Sequence, residues 1–282
     1  MPDSLLTNSQ KNKLHKAVKT GDYKQIVYIL ESVKTAHAGT AKTKDKRFVI
    51  KEQVSHIKAN AKNEAAMNKA FFNTGVKFCS MNEDVAKQIG VSLLWRGYKH
   101  DKKKTKSVLL AIADHPNWEV RESAGGAFAN VLFYNNDFYD TLKKWAKNKS
   151  PNVRRAVVIG SLGLRDTNNP ADISKAFRLL KPLMYDSSTY VKKNLGPFVL
   201  GSYYGNSYPK ETFKQLNQWI KIKDENVRWN VAMAFNNSFG NKYPDEALKY
   251  LRILSRDTSP MVQRAVKSTL NSLKKRNNNL KI

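Results

Sequence analysis

Asn117-Trp118-Glu119-Val120-Arg121-Glu122-Ser123-Ala124-Gly125 is one copy of an element that recurs along the chain. A valine leading a mostly basic or polar pair returns at Val85, Val120, Val153, Val191, Val227 and Val262, at spacings of 35, 33, 38, 36 and 35 residues. Each copy follows a short polar or proline-bearing turn, such as His115-Pro116-Asn117, Ser150-Pro151-Asn152 or Thr258-Ser259-Pro260. Spacings this regular are the signature of a helical solenoid, whose units bury their apolar faces against their neighbours.

Working outward, each unit reads as an outer helix, a short turn and an inner helix that begins near the aligned valine. Asp137–Lys147 is one such outer helix, 148–152 its turn and Val153–Leu162 the inner helix. Pro116, Pro151, Pro170, Pro209, Pro244 and Pro260 fall at the joints, where the missing N–H of a first-turn proline costs nothing. The regular array is expected over residues 63–282 as one continuous domain, with 1–62 an N-terminal helical cap or degenerate repeat. Within that cap, Gly21-Asp22 breaks two helical patterns, Ala41–Lys46 reads as a loop or exposed helix start, and Phe48–Lys58 reads as an amphipathic helix. Lys274–Ile282 reads as a frayed basic tail. No stretch alternates with period two for long, so the expected fold is all-α, a right-handed α-solenoid.

Composition narrows the function classes. The 282 residues are 41% hydrophobic, enough for a substantial core. No apolar run approaches the roughly 20 residues of a membrane span. Met1-Pro2-Asp3-Ser4 does not resemble the start of a signal peptide, so a cytoplasmic location is expected, nucleoid-associated in a bacterium. The lone Cys79 excludes an internal disulfide framework and a multi-cysteine zinc site, and its apolar helical setting predicts a buried packing thiol. Fifty Lys and Arg against 23 Asp and Glu give a net charge of +27, which favours a polyanionic partner.

Aligning the copies lets the repeat be read by column. The residue after the valine is Ala86, Arg121, Arg154, Lys192, Arg228 or Gln263. Its basic character resembles HEAT repeats, where such an arginine pairs with a polar group in the next repeat. A scaffold role is therefore expected, and Arg154 also joins the DNA-contacting candidates. The next column is Lys87, Glu122, Arg155, Lys193, Trp229 and Arg264. On inner helices lining a groove, Lys87, Arg155, Lys193 and Arg264 would meet phosphates and Trp229 would stack on DNA; the alternative is a solvated face. Glu122 breaks the column. It either orients Arg121, Arg154 or Arg155, or stabilises positive charge developing on a sugar. Trp118 lies one helical turn before Glu122 and so shares its face. The indole either attracts a cationic base or serves as a core or turn-capping residue.

At these residues the chain resembles the HEAT-like DNA alkylation-repair glycosylases of the AlkC/AlkD superfamily, over about residues 63–275. The spacing of Trp118 and Glu122 is similar to that family's tryptophan and catalytic aspartate, with glutamate in place of aspartate. Arg155, in Asn152-Val153-Arg154-Arg155-Ala156, resembles its phosphate-binding arginine. A second groove tryptophan would fall on Pro197; Phe198, Tyr203, Tyr204 or Trp229 are the aromatics available to replace it. The resemblance implies a monomeric enzyme acting on duplex DNA containing alkylated bases. It would excise cationic purines of 3-methyladenine or 7-methylguanine type with Glu122 and Trp118 at the lesion, and with no cofactor and no metal. The reading from another class is a non-catalytic HEAT-repeat protein that binds nucleic acid or an acidic protein partner.

Overall fold

The computed structural model describes residues 4–37, 39–165 and 169–276, and only the backbone of Pro170. Residues 277–282, most of the basic tail read at the C-terminus, lie outside the described residues. The chain divides into two compact units, with the boundary after Val131. Among the described residues the regular structure is helical, and the one β-type pairing is an isolated bridge between Lys34 and Ala41. The fold is all-α, built of HEAT-like helix pairs. No helix among the described residues is long and apolar enough to cross a membrane.

The first unit holds α1 (Asn8–Thr20), α2 (Tyr23–Glu31), α3 (Thr43–Asn60), α4 (Glu64–Cys79), α5 (Asp84–Leu94), α6 (Lys102–Ala113) and, up to the boundary, α7 (Trp118–Tyr134). A capping box between Thr7 and Gln10 starts α1, and Gly21 ends it at φ 68°, a conformation that favours glycine. Leu14, Ile26, Leu30 and Val49 share one apolar core with Phe71, Phe78 and Ile89, and the Tyr23 ring meets Phe78 edge-on at 5.0 Å. The boundary expected at residue 62 therefore separates no cores: α1–α3 belong to the same packed body as α4 and α5.

Ala41–Lys46 forms the helix start its sequence suggests, with α3 beginning at Thr43 and with Thr43 and Lys44 exposed, but half of the stretch is buried. Ala41, Asp45 and Lys46 are buried. Asp45 accepts from the Ser4 hydroxyl at 2.5 Å and the Leu5 N–H at 3.2 Å, and Lys46 reaches Glu119. Asp45 and Lys46 are drawn inside because fixed partners replace water, the condition for burying charge.

The second unit holds α8 (Phe138–Trp145), α9 (Pro151–Gly160), α10 (Pro170–Leu180), α11 (Thr189–Asn194), α12 (Pro209–Trp219), α13 (Glu225–Ala234), α14 (Ser238–Lys242), α15 (Pro244–Leu254) and α16 (Pro260–Arg276). Its inner helices pack in chain order: α9 on α11, the segment after α11 on α13, and α13 on α16. Prolines occupy the first helical position of α9, α10, α12 and α15, as their joint positions predict. The six aligned valines all lie at inner-helix starts and are at most 2% exposed. They are core, as a periodic apolar position should be.

After α11 the helix continues as a π-helical stretch, Leu195–Gly205. Pro197 has no N–H to donate and its ring cannot fit a normal helical turn. The widened backbone accommodates it, and the Pro197 carbonyl accepts from Ser202 Oγ at 3.2 Å and Asn237 Nδ2 at 2.9 Å. Gly201 packs so closely on α13 that a β-carbon there would collide with the Ala234 carbonyl oxygen.

Candidate functional site

The start of α7 is set by Asn117, whose side-chain oxygen accepts from the Glu119 N–H at 2.9 Å and whose amide donates to Asp84 at 2.7 Å. Pinned there, α7 presents Trp118 and Glu122 one turn apart. Both border a cleft of about 330 Å³, together with Lys46, Arg47 and Ile50 of α3 and Gln88 of α5. Trp118 is 44% exposed, which sets aside its reading as a core residue, and its ring meets His37 edge-on at 5.6 Å. Glu122 is exposed. An aromatic face and a carboxylate thus look onto one space whose α3 side carries two cations.

Glu119, a residue to which no role was assigned from the sequence, ties that space together. Its carboxylate accepts from Lys46 Nζ at 2.8 Å, from Gln88 Nε2 at 3.3 Å and from the Thr40 hydroxyl. Burial pushes the Glu119 carboxyl up, but the hydrogen bonds from Lys46 and Thr40 and the Lys46 charge outweigh it and hold the group below the ordinary carboxylate value. It stays ionised and fastens α3 and the Thr40 segment to α7.

The column after the valine behaves as scaffold. Arg121 donates to the His115 and Pro116 carbonyls, Arg154 to those of Asn148 and Lys149, Arg228 to that of Ile222, and Gln263 to that of Asp257. Each folds back over the turn before its own helix and satisfies carbonyls left open beyond the preceding helix. Two also reach forward to the next turn. Arg154 pairs with Asp186 through Nε at 2.5 Å and its terminal nitrogen at 3.1 Å, and Arg228 grips Asp257 with the same fork. Lys192 reaches forward only, to Asn226 at 2.9 Å.

Lys87 belongs to this scaffold column and not to the groove column in which the sequence alignment puts it. Its ammonium donates to the Met81 and Asn82 carbonyls at 2.8 and 2.5 Å, the fold-back made by Arg121 and Arg154. The slip has a simple cause. The aligned valine is the third residue of α7, α9, α11, α13 and α16, but Val85 is the second residue of α5. Counted from the helix start, Ala86 takes the valine position, and it is fully buried. The groove-column position in α5 is then held by Gln88.

In the second unit the candidates separate. Arg154 is engaged by Asp186 and two carbonyls and is scaffold. Arg155, read as a phosphate contact, is 6% exposed, donates to Asn194 at 3.1 Å and lies over the Tyr190 ring at 5.4 Å. Lys193 and Arg264 are exposed. Arg264 lies on a polar face of α16 with Lys267, Asn271 and Lys275. Trp229 is half-buried, with Lys192 Nζ over its ring at 5.0 Å. Of the aromatics near Pro197, Tyr204 is buried and donates to the Ser161 carbonyl at 2.6 Å, while the more open Phe198 and Tyr203 pair edge-on at 4.8 Å. Cys79 is half-buried rather than buried, its thiol lies 3.9 Å from the Lys87 carbonyl oxygen, and burial of that thiol pushes it up to about 12.

No protein-family model matches the chain, and no curated protein matches it. Among solved structures it is similar to the X-ray structure of YibA from Escherichia coli, at 15% identity and a TM-score of 0.41 over 97% of this chain and 99% of that one. The repeat assignment rests on the helix register and the arginine clasps described above.

Proposed function

We propose that the chain is a DNA glycosylase that excises cationic alkylated purines, of 3-methyladenine or 7-methylguanine type, from duplex DNA. One observation carries the reading: the exposed Trp118 indole and the Glu122 carboxylate border a single cleft with Lys46 and Arg47. An alkylated purine already carries positive charge and leaves as a neutral base, taking the electron pair of the C1′–N bond. The sugar is left oxocarbenium-like, and a carboxylate beside it stabilises that charge while water adds to C1′. An indole face attracts the cationic base by about 0.5–2 kcal/mol. The net charge of +27 supplies phosphate affinity.

Incubation with duplex DNA carrying 7-methylguanine, followed by measurement of free base, tests the reading. Glu122→Gln should lower release about a hundredfold or more and leave DNA binding equal or tighter, because it removes a negative charge from a basic site. Wild-type protein that binds this DNA tightly and releases no base excludes the glycosylase. That outcome supports the second reading, a HEAT-repeat protein that binds nucleic acid or an acidic partner without cleaving it. The exposed Lys193 and the basic face of α16, neither of which needs chemistry, favour that reading.

A further inference from the structure

The proposed chemistry leaves unused the positive charge at the start of α6, the outer helix before α7. Lys99, Lys102, Lys103 and Lys104 are exposed and Lys106 is half-buried, whereas the residues bordering the cleft come from α3, α5 and α7. The cluster works against its own helix. Lys102, Lys103 and Lys104 form the first turn, where the backbone N–H groups already carry partial positive charge, and no acidic residue stands among them. The Asp101 carboxylate before them caps the helix by accepting from the Lys104 N–H at 2.8 Å. Lys102 and Lys106 lie one turn apart, a spacing at which like charges repel, yet the Tyr98 ring gathers both ammonium groups, at 5.7 and 5.8 Å from its centre. Leucine or methionine would cover that ring without repulsion. Lys99 pairs with Glu64 at 3.1 Å, with both side chains more than half exposed. Lys103 and Lys104 make no side-chain hydrogen bond or ion pair among the described residues. Charge gathered toward solvent at a cost to its own helix is explained by an anion outside the chain.

We propose that Lys99, Lys102, Lys103, Lys104 and Lys106 form a docking surface for the sugar–phosphate backbone of duplex DNA, outside the cleft and indifferent to lesions. Ammonium groups act as point charges, which suits contacts that position a duplex without reading its bases. Single strands ask for open aromatic faces, and Tyr98, only 1% exposed, offers none. A membrane surface would find charge but nothing to insert, because no large apolar side chain of α6 is exposed. Duplex RNA gains no advantage either, since ammonium donors present no acceptor to a ribose 2′-hydroxyl. Tyr98 orders two of the cations before the duplex arrives, which lowers the entropy cost of contact. The surface does not depend on the glycosylase reading. It serves equally a protein that binds DNA without cleaving it.

Binding of undamaged duplex DNA across a salt series tests the proposal through two double variants. Lys103→Gln with Lys104→Gln removes the two solvent-facing charges, and Lys102→Met with Lys106→Met keeps apolar stems over Tyr98. Each double variant should flatten the log–log slope by about 0.9 for every lysine that meets a phosphate. The first should also raise the thermal midpoint, because it relieves repulsion within the first turn. Lys13→Gln with Lys16→Gln removes equal charge from exposed positions of α1 and should leave the slope unchanged. An unchanged slope in both α6 variants, or an equal change in the α1 control, overturns the proposal. So does α6-dependent binding to phosphatidylserine vesicles at the same salt, or a larger α6-dependent slope on duplex RNA than on duplex DNA. Base release from 7-methylguanine duplex, measured with the same proteins at saturating concentration, separates this surface from the cleft. A flattened slope with release at the wild-type rate supports both. An unchanged slope with release intact removes the α6 surface and keeps the glycosylase. A flattened slope where even wild-type protein releases no base keeps the surface and removes the glycosylase.

Discussion

Glu119 and Glu122 stand three residues apart on α7 and meet opposite environments. Glu122 looks outward, whereas Glu119 accepts three hydrogen bonds from groups on other elements. Glu119→Gln removes the charge that balances Lys46, whose side chain is only 9% exposed, and should destabilise the protein by about 3 kcal/mol, read as a lower urea midpoint. Because folding lowers the Glu119 pKa, its stabilisation is fully present above the ordinary value of 4.5 and is lost as pH falls through the folded-state value. Acid titration of urea stability should show that loss in wild type and a smaller one in Glu119→Gln. Trp118 and Glu122 were legible in the sequence because they break columns that otherwise repeat. Glu119 was not, since Thr40 and Lys46 lie 79 and 73 residues away and no local pattern announces the pairing.

Inner helices are where the repeat is most regular and where a single residue of register matters. The helix type, the buried valines and the scaffold arginines followed from periodicity, because burial imposes its period on the sequence. Lys87 was misplaced because Val85 imitates the aligned valine while α5 begins one residue off. The corrected register makes a separable prediction. Lys87→Met removes two carbonyl contacts and should lower stability by about 1 kcal/mol, without changing the salt dependence of DNA binding. A changed salt slope would return Lys87 to the phosphate-contacting set. The π-helical stretch after α11 escaped the sequence for another reason: a proline inside a helical pattern signals a break or a kink equally well, and no local pattern announces a widened turn.

At the scale of the whole molecule, the +27 charge is not one undivided resource. Lys46, Arg154 and Arg228 sit in ion pairs, and Lys87 serves a turn. Lys193 and Arg264 remain exposed on inner helices. Duplex-DNA affinity measured across a salt series should therefore flatten by about 0.9 in log–log slope for each of Lys193→Met and Arg264→Met that removes one phosphate contact. An unchanged slope in both would place the polyanion elsewhere. The fold-back clasps have a further consequence, for how the chain can vary in length. Lys87 grips Met81, Arg121 grips His115, Arg154 grips Asn148, Arg228 grips Ile222 and Gln263 grips Asp257, each carbonyl lying six positions back along the chain. The clasp works as a caliper that admits one loop length. A single-residue insertion in any of these turns, between the gripped carbonyl and the gripping side chain, should lower the yield of folded protein in an insertion library. Changes of chain length are expected to accumulate where no caliper measures them, in the connections that lead from one inner helix to the next outer one.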